Sequence, residues 1–513
     1  MRLSSLVRDL PELQPAGLPN VEVGGVTADS RRVRPGWVFV AVRGEHIDGH
    51  DYLPAAAAAG ASLLVGERGD PALGVPYRQV RDARLALARL AAAWHALPAR
   101  SLRMIGVTGT DGKTTTATLI HHLLTASGVP AGLITTVSAI IGGSEVETGL
   151  HVTTPEAVEV QSLLRQMVDA GLTHAVLEAT SHGLAQGRVA ACDFDLGVVT
   201  NITHEHLDYH GSFEAYRQAK ASLFAGLADT PAKPGGIERL AVLNADDESF
   251  DYLRGVTQVR QVTYGLVQPA DIRAEGVSAG VQGLSFEIRA GEHRLPVQTT
   301  LIGRYNIPNV LAAYAATVCG LGLAPEQAAA AISTFGGIPG RMERIDLGQP
   351  FLALVDFAHT PNALRQALAS ARQVASGRVI AVFGSAGLRD RQKRRMLAEI
   401  GAQAADLSIL TAEDPRTESL EAILEEMAQG ALAAGGVEGE SFLREPDRGR
   451  ALRQAVSRAR LGDVVVICGK GHEQSMCFGE IEYAWDDRVA MQAALAELLG
   501  VPGPAMPRLP TDV

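Results

Sequence analysis

A multidomain α/β protein built on parallel sheets is the fold class this sequence predicts, and three observations carry it. At 513 residues the chain is longer than one ordinary core, so about three domains are expected. Apolar runs at 174–177, 196–200, 240–243, 379–383 and 464–468 alternate with helix-like stretches, the mark of sheets covered on both faces. The run 104–107 reads as a buried strand, and 117–124 as a helix, with a glycine-bearing turn between them.

The first block, 1–100, mixes short strands at 38–42 and 62–65 with Ala-rich helices and closes at Leu97-Pro98. The second, 101–338, opens with the strand–turn–helix and continues as a central parallel sheet. Within it, 256–301 shows short alternating strands with glycine turns, which predicts a small antiparallel appendage. The stretch 305–325 has no charge, but Asn306, Pro308, Asn309, Gly320 and Gly322 interrupt it, so a buried Ala-rich helix is expected rather than a membrane span. The third block, 339–513, has apolar runs at 351–355, 379–383, 407–411 and 464–468 and reads as a doubly wound, Rossmann-like unit. Its Pro-rich tail from Gly500 is expected to be loose.

Hydrophobic content of 46% with 20% charged residues describes a globular protein. A net charge of -11 argues against nucleic acid as a partner, which needs a basic face. Cys192, Cys319, Cys468 and Cys477 form no CxxC pair, so neither a disulfide framework nor a zinc site is expected. The N-terminus carries Asp9 and Glu12 and no apolar core, which speaks against a secretory signal and for a cytoplasmic protein.

The most informative run is Gly109-Thr110-Asp111-Gly112-Lys113-Thr114-Thr115. A strand, a glycine turn and a helix N-terminus point backbone N–H groups at phosphate. Lys113 supplies a point charge and Thr114 a hydroxyl for Mg²⁺. Val107 stands where a strict Walker A motif begins with Gly, so the motif is a variant. Glu178 ends the strand at 174–177, where ligands of open α/β sheets gather, and is a candidate Mg²⁺ ligand. A helix cap is the plainer reading of a lone Glu, but Thr180, Ser181, His182, Gln186 and Arg188 follow it closely. Downstream, His204, Glu205, His206, Asp208 and His210 crowd one stretch ahead of Tyr216 and Lys220. They suggest metal or phosphate chemistry. Zinc is the weaker alternative, because no Cys accompanies the histidines.

These motifs, in this order, resemble the Mur ligase superfamily, most closely its MurE-type UDP-N-acetylmuramoyl-tripeptide synthetases. Thr27-Ala28-Asp29-Ser30-Arg31 resembles the family's UDP-sugar site, and Glu178-Ala179-Thr180-Ser181-His182 its Glu-Val-Ser-Ser-His pattern. Asn306 and Asn309, Gly340-Arg341-Met342-Glu343, and 356–361 (with Phe357 where Tyr is usual) fit its later motifs. So do Glu413-Asp414-Pro415-Arg416 and Gly469-Lys470-Gly471-His472-Glu473.

The resemblance implies a UDP-muramoyl-binding domain at 1–100, an ATP-binding domain at 101–338 and an amino-acid-binding domain at 339–513. It implies an ATP-dependent amide ligase of peptidoglycan precursor synthesis that works through an acyl phosphate. ATP would be co-substrate and Mg²⁺ the cofactor, held by Thr114, Glu178, His206 and a carbamylated Lys220; Lys113 would be catalytic. Asn306 and Arg341 would complete the ATP site. Ser30, Thr153, Thr154, Thr180, Gln186 and Arg188 would bind UDP-N-acetylmuramoyl-L-alanyl-D-glutamate. Arg389, Glu413, Asp414, Pro415, Arg416, Gly469 and Glu473 would bind the amino acid. A monomer with no nucleic-acid partner and no membrane insertion is expected.

Diaminopimelate-adding relatives usually show Asp-Asn-Pro-Arg, so Asp414 is a departure. Its extra negative charge points to lysine or ornithine as the added diamino acid, with meso-diaminopimelate as the alternative. Another ligase of the superfamily, such as a folylpolyglutamate synthase, and a P-loop switch ATPase are the competing readings.

Overall fold

Runs without polar interruption can be strands only where both faces are covered, because successive side chains point to opposite sides. In the computed structural model they are covered in this way. The structure describes all residues except 9, 11–12, 14–17, 19, 45–46, 137, 147–153, 204–206, 237 and 512–513. Two units are present: Met1–Glu275 with Ile288–Leu295 and Pro308–Ile332, and Gly276–Glu287 with Pro296–Ile307 and Ser333–Val513.

The first unit opens with a parallel sheet of β1 (Val26–Thr27), β2 (Val38–Val40), β3 (Leu63–Gly66) and β4 (Tyr77–Gln79), paired in chain order. Helix Ala83–Trp94 starts where the Asp82 carboxylate accepts the Leu85 N–H. It lays Ala83, Ala86, Leu87 and Leu90 against Val38, Val40, Leu63 and Val65.

The larger sheet contains β5 (Arg103–Thr108), β6 (Ala131–Ile134), β7 (Ala139–Ile141), β8 (Ser144–Val146), β9 (His174–Glu178), β10 (Leu196–Val199), β11 (Leu240–Asn244) and β12 (Arg260–Gly265). Their spatial order is β12-β11-β10-β5-β9-β6-β7-β8. Pairings from β12 to β6 are parallel, and only β7 and β8 run antiparallel at the far edge. β5 is therefore central, between β10 and β9, and its carboxyl end releases the glycine turn into helix Lys113–Ala126. The strand-rich appendage joins this sheet: β13 (Ile272–Gly280) pairs in parallel with β12, and β14 (Gly283–Ala290) and β15 (His293–Thr299) follow in that order. The Ala-rich helix is Asn306–Tyr314, continuing as a π-helical turn Ala315–Gly320, with Ala312, Ala313, Ala315 and Ala316 buried.

The second unit holds β16 (Glu343–Ile345), β17 (Leu352–Asp356), β18 (Val379–Phe383), β19 (Leu407–Leu410), β20 (Phe442–Arg444) and β21 (Val464–Cys468) in the order β16-β17-β21-β18-β19-β20. All pairs but β16–β17 are parallel. Alternation divides β21 cleanly. Val464, Val466 and Cys468 pack with helices Pro361–Val374, Gln392–Ala404 and Leu420–Ala433. Val465 and Ile467 pack with Arg448–Arg458 and Asp487–Leu499. A short hairpin, β22 (Ser475–Phe478) with β23 (Ile481–Ala484), follows β21.

The C-terminal tail is docked, contrary to the expectation of a loose segment. Leu509 is buried in the core, and the Thr511 hydroxyl donates to Asp447 while its carbonyl accepts from Arg450. Leu509, the partly buried Met506 packed on the same core, and two hydrogen-bond ties outweigh the proline content. Among the described residues no helix is long and apolar enough to cross a membrane.

Candidate active site

The turn after β5 is held from below by the end of β10. Thr110 N–H donates to Asn201 O at 2.7 Å and Asp111 N–H to Asn201 Oδ1 at 3.0 Å, while the Thr200 hydroxyl donates to Asp111 O at 2.6 Å. Two glycines are required by this packing. Gly109 has φ 151°, and a Cβ there would fall 1.8 Å from Thr200 Oγ1; Gly112 has φ 80°, and a Cβ would fall 2.3 Å from Asn309 Oδ1. The Lys113 ammonium curls back to Thr110 O at 2.7 Å.

Thr114 lies in the first turn of helix Lys113–Ala126 and Glu178 at the end of β9, and both are buried. The Thr114 hydroxyl donates to Glu178 Oε2 at 2.9 Å, and Thr136 N–H reaches the same oxygen at 3.3 Å. Glu178 is therefore no helix cap. A hydroxyl and a carboxylate side by side at a phosphate-type turn are hard oxygen donors of the kind Mg²⁺ takes. Lys220, on helix Phe213–Ala225, is 2% exposed; its ammonium donates to Gly109 O and sits 4.6 Å from the Tyr216 ring centroid. A solvated surface lysine is thereby ruled out. His206 and Thr153 lie outside the described residues.

A second cluster forms around Thr180. Its hydroxyl caps helix Ser181–Ala185 by accepting Gly183 N–H and lies 2.9 Å from Thr154 Oγ1. Arg188 donates to Thr154 O at 2.6 Å and to Gln186 Oε1 at 3.0 Å. Its remaining nitrogen meets Glu156 Oε1 at 2.9 Å. The structure thus brings Thr154, Thr180, Gln186 and Arg188 together, with a carboxylate already at the guanidinium. Ser30 sits elsewhere in this unit, on the turn Ser30–Arg32, whose Asp29 cap accepts the Arg31 N–H.

In the second unit, the functional candidates line the carboxyl ends of β17, β18, β19 and β21. The fully buried Arg448 fixes two of these ends. It makes a bidentate pair with Asp487 at 2.8 and 2.7 Å and donates to Ala412 O and Cys468 O, the residues just before Glu413 and Gly469. Glu413 is 6% exposed, its Oε2 has no hydrogen-bond partner among the described residues, and burial pushes its carboxyl up to about 7. Asp414 and Arg416 both have left-handed backbone, at φ 39° and 54°, and the loop is tied down by Gly387 N–H to Asp414 O and Arg416 N–H to Cys477 O. Pro415 is buried between them. Arg389 is exposed on the loop after β18.

Two oxygens of Asp414 take up Lys470, at 3.1 and 2.9 Å, and Oδ1 also accepts Cys477 N–H at 2.8 Å. The sequence-based charge count left out Lys470, whose ammonium faces Asp414 directly. Lys470 also pairs with Glu473. Arg341 stacks on Phe357, 4.6 Å from the ring centroid, and its Nε has no hydrogen-bond partner among the described residues. Burial lowers His359 and His472, whose ring centroids lie 4.6 and 4.9 Å from that of Phe357, to about 4.

Asn306 turns its amide to Ile302 O at 2.8 Å, whereas Asn309 is the one beside Gly112 and Thr116. Sequence reasoning met Lys470 only as a motif member and Thr200 and Asn201 only as the start of the 200–211 stretch, and it gave no role to Thr136, Glu156 or Arg448. Thr200 and Asn201 follow an apolar run as Glu178 does, which is the signal that could have found them. Nothing in a single sequence pairs Lys470 with Asp414.

Three family models cover most of the chain: "Mur ligase family, catalytic domain" at 22–95, "Mur ligase middle domain" at 107–317 and "Mur ligase, glutamate ligase domain" at 340–471. A UDP-N-acetylmuramyl-tripeptide synthetase of Roseiflexus sp. (strain RS-1) is 45% identical, over 97% of this chain and 99% of its own length. A UDP-N-acetylmuramoyl-L-alanyl-D-glutamate--2,6-diaminopimelate ligase of Geobacillus kaustophilus is 39% identical, over 97% and 100%. A solved structure of a ligase of the latter name superposes with TM-score 0.71 at 31% identity, covering 97% of this chain and all of the other.

Proposed function

The chain belongs to the Mur ligase family, and on that premise we propose that it ligates a diamino acid to the D-glutamyl carboxylate of UDP-N-acetylmuramoyl-L-alanyl-D-glutamate. A carboxylate oxygen bonds to the γ-phosphorus of ATP as the bond to the ADP oxygen breaks, giving an acyl phosphate. The amine nitrogen then bonds to the acyl carbon, the carbon–oxygen bond to phosphate breaks, and the nitrogen gives up its proton. Peptidoglycan precursor synthesis by a cytoplasmic monomer is the corresponding cellular setting, with domains at 1–100, 101–338 and 339–513.

The observation that carries the reading is the buried Thr114–Glu178 pair beside the glycine turn and Lys113. Turn N–H groups and the Lys113 ammonium hold phosphoryl oxygens in line for attack. Thr114, Glu178, His206 and Lys220 as a carbamate would hold Mg²⁺, which when bound offsets the charge of the phosphate tail. Carbamylation joins the neutral Lys220 nitrogen to CO₂ carbon with loss of a proton, and replaces a cation by an oxygen donor. Asn306 and Arg341 remain assigned to ATP. Thr153, Thr154, Thr180, Gln186 and Arg188 hold the muramoyl-dipeptide, with Ser30 at the uridine end. The D-glutamate carboxylates are natural partners for the Arg188 fork now facing Glu156.

For the amino acid, the pairing of Asp414 with Lys470 favours meso-diaminopimelate over lysine or ornithine. Arg416, whose Nε has no partner among the described residues, is the group suited to a distal carboxylate. Glu413 and Glu473 suit the ammonium groups, and Arg389 the α-carboxylate. The test is release of ADP and phosphate by the purified protein. Turnover is expected only when muramoyl-dipeptide and diamino acid are both present; equal turnover without the dipeptide would favour a switch ATPase.

A further inference from the structure

We infer that Lys470 is a specificity-determining positioning residue of the amino-acid site: its buried ammonium neutralises Asp414 and thereby leaves Arg416 for the distal carboxylate of the ligand. The inference rests on the functional reading above and deepens it.

Three observations lead there. The Lys470 side chain is 3% exposed, against 16% for Asp414 and 31% for Glu473, so the cation has been drawn inside while its acids keep some contact with water. Burial alone would favour the neutral amine, yet Asp414 and Glu473 hold it charged. Second, both Asp414 oxygens are occupied, by Lys470 and by Cys477 N–H, so its carboxylate is turned away from competition for Arg416. Third, Asp414 and Arg416 are two residues apart on a strained loop, both with left-handed backbone, so a shift in one moves the other.

Without its ammonium, Asp414 is a partly buried anion two residues along the loop from the half-buried Arg416. The nearest remedy is an Asp414–Arg416 ion pair. That pair occupies the group needed by a distal carboxylate and leaves a net negative site, which suits a simple ammonium. Lys470 touches the two acids, not the reacting atoms, and so acts through them.

The experiment measures kcat/KM for meso-diaminopimelate and for L-lysine in wild type, K470M and K470M/D414N. K470M is expected to lower the diaminopimelate-to-lysine ratio by about 10-fold or more, through KM rather than kcat. Adding D414N should restore the ratio to within about 3-fold of wild type, because it removes the charge that Lys470 answers. An unchanged ratio in K470M, or no restoration by D414N, overturns the inference. If K470M alone does not fold, a folded double variant with the wild-type ratio supports it. A double variant that also fails to fold, or folds with a collapsed ratio, overturns it. Wild type that ligates neither amino acid to the muramoyl-dipeptide would instead defeat the functional reading, a result separate from all of these.

Discussion

Thr114 and Glu178 stand 2.9 Å apart, hydroxyl to carboxylate, in a buried position that joins the first turn of one helix to the end of the neighbouring strand. Sixty-four positions separate them along the chain, and the parallel pairing of β5 with β9 is what closes that gap. Replacing Glu178 by Gln keeps the shape and the hydrogen-bond acceptor but removes the charge. A loss in kcat of about 100-fold or more is expected, since Glu178 would act by holding the Mg²⁺ that offsets the charge of the phosphate tail. Thr114→Ser should stay near wild type and Thr114→Ala should not; ADP release under saturating substrates checks all three.

Lys113→Ala is expected to cost about 100-fold or more in turnover without unfolding the protein. The side chain is half-buried and its ammonium hydrogen-bonds to its own turn, at Thr110 O, so the melting temperature should hardly move. Near-normal turnover would mean that the turn does not bind phosphate.

Lys220 should carry a carbamate in the active enzyme. Lys220→Ala is expected to be nearly inactive, and the protein prepared with ¹³C-bicarbonate should show a carbamate carbon resonance that the variant lacks. A free ammonium at Lys220 in fully active protein contradicts this.

Arg448→Met should destabilise by about 3–5 kcal/mol, because it leaves Asp487 a buried anion with only the Trp485 indole N–H as its side-chain donor and removes the donor to two buried carbonyls. Denaturant midpoints measure this. In whatever fraction remains folded, KM for the amino acid should rise while KM for ATP does not, since Arg448 fixes the strand ends before Glu413 and Gly469.

Glu413 makes a pH prediction of definite sign. Its folded-state carboxyl is pushed by burial from an ordinary value near 4.5 up to about 7. The folded protein therefore keeps a proton that the unfolded chain releases, and stability falls as pH rises through that window and then levels off. Glu413→Gln removes this slope. The variant should match wild type near about pH 4 and exceed it near about pH 8 in thermal denaturation.

Much of this was legible in the sequence, for identifiable reasons. Uninterrupted apolar runs located β18 and β21 to the residue, and others within a position, because burial on both faces leaves a signal in consecutive residues. The glycine turn announced itself through Gly109 and Gly112, whose conformations exclude a side chain. The docked tail was missed because proline content masks its two apolar anchors, Met506 and Leu509. The ion pair of Asp414 was not legible because its counter-ion lies 56 positions away, brought close by two strands, β19 and β21, that end on the same edge of one parallel sheet with β18 between them. Asn309 and Asn306 are three apart on one helix, and only the packing tells which faces Gly112.

The central claim is amide ligation of a diamino acid to the muramoyl-dipeptide, and mass spectrometry of the product tests it most directly. Incubation with UDP-N-acetylmuramoyl-L-alanyl-D-glutamate, ATP, Mg²⁺ and an equimolar mixture of meso-diaminopimelate, L-lysine and L-ornithine should yield one dominant UDP-tripeptide whose mass corresponds to meso-diaminopimelate, with one ADP per product. A dominant lysine or ornithine adduct would contradict the assignment of Arg416 and Lys470, and ADP without any tripeptide would contradict the ligase itself.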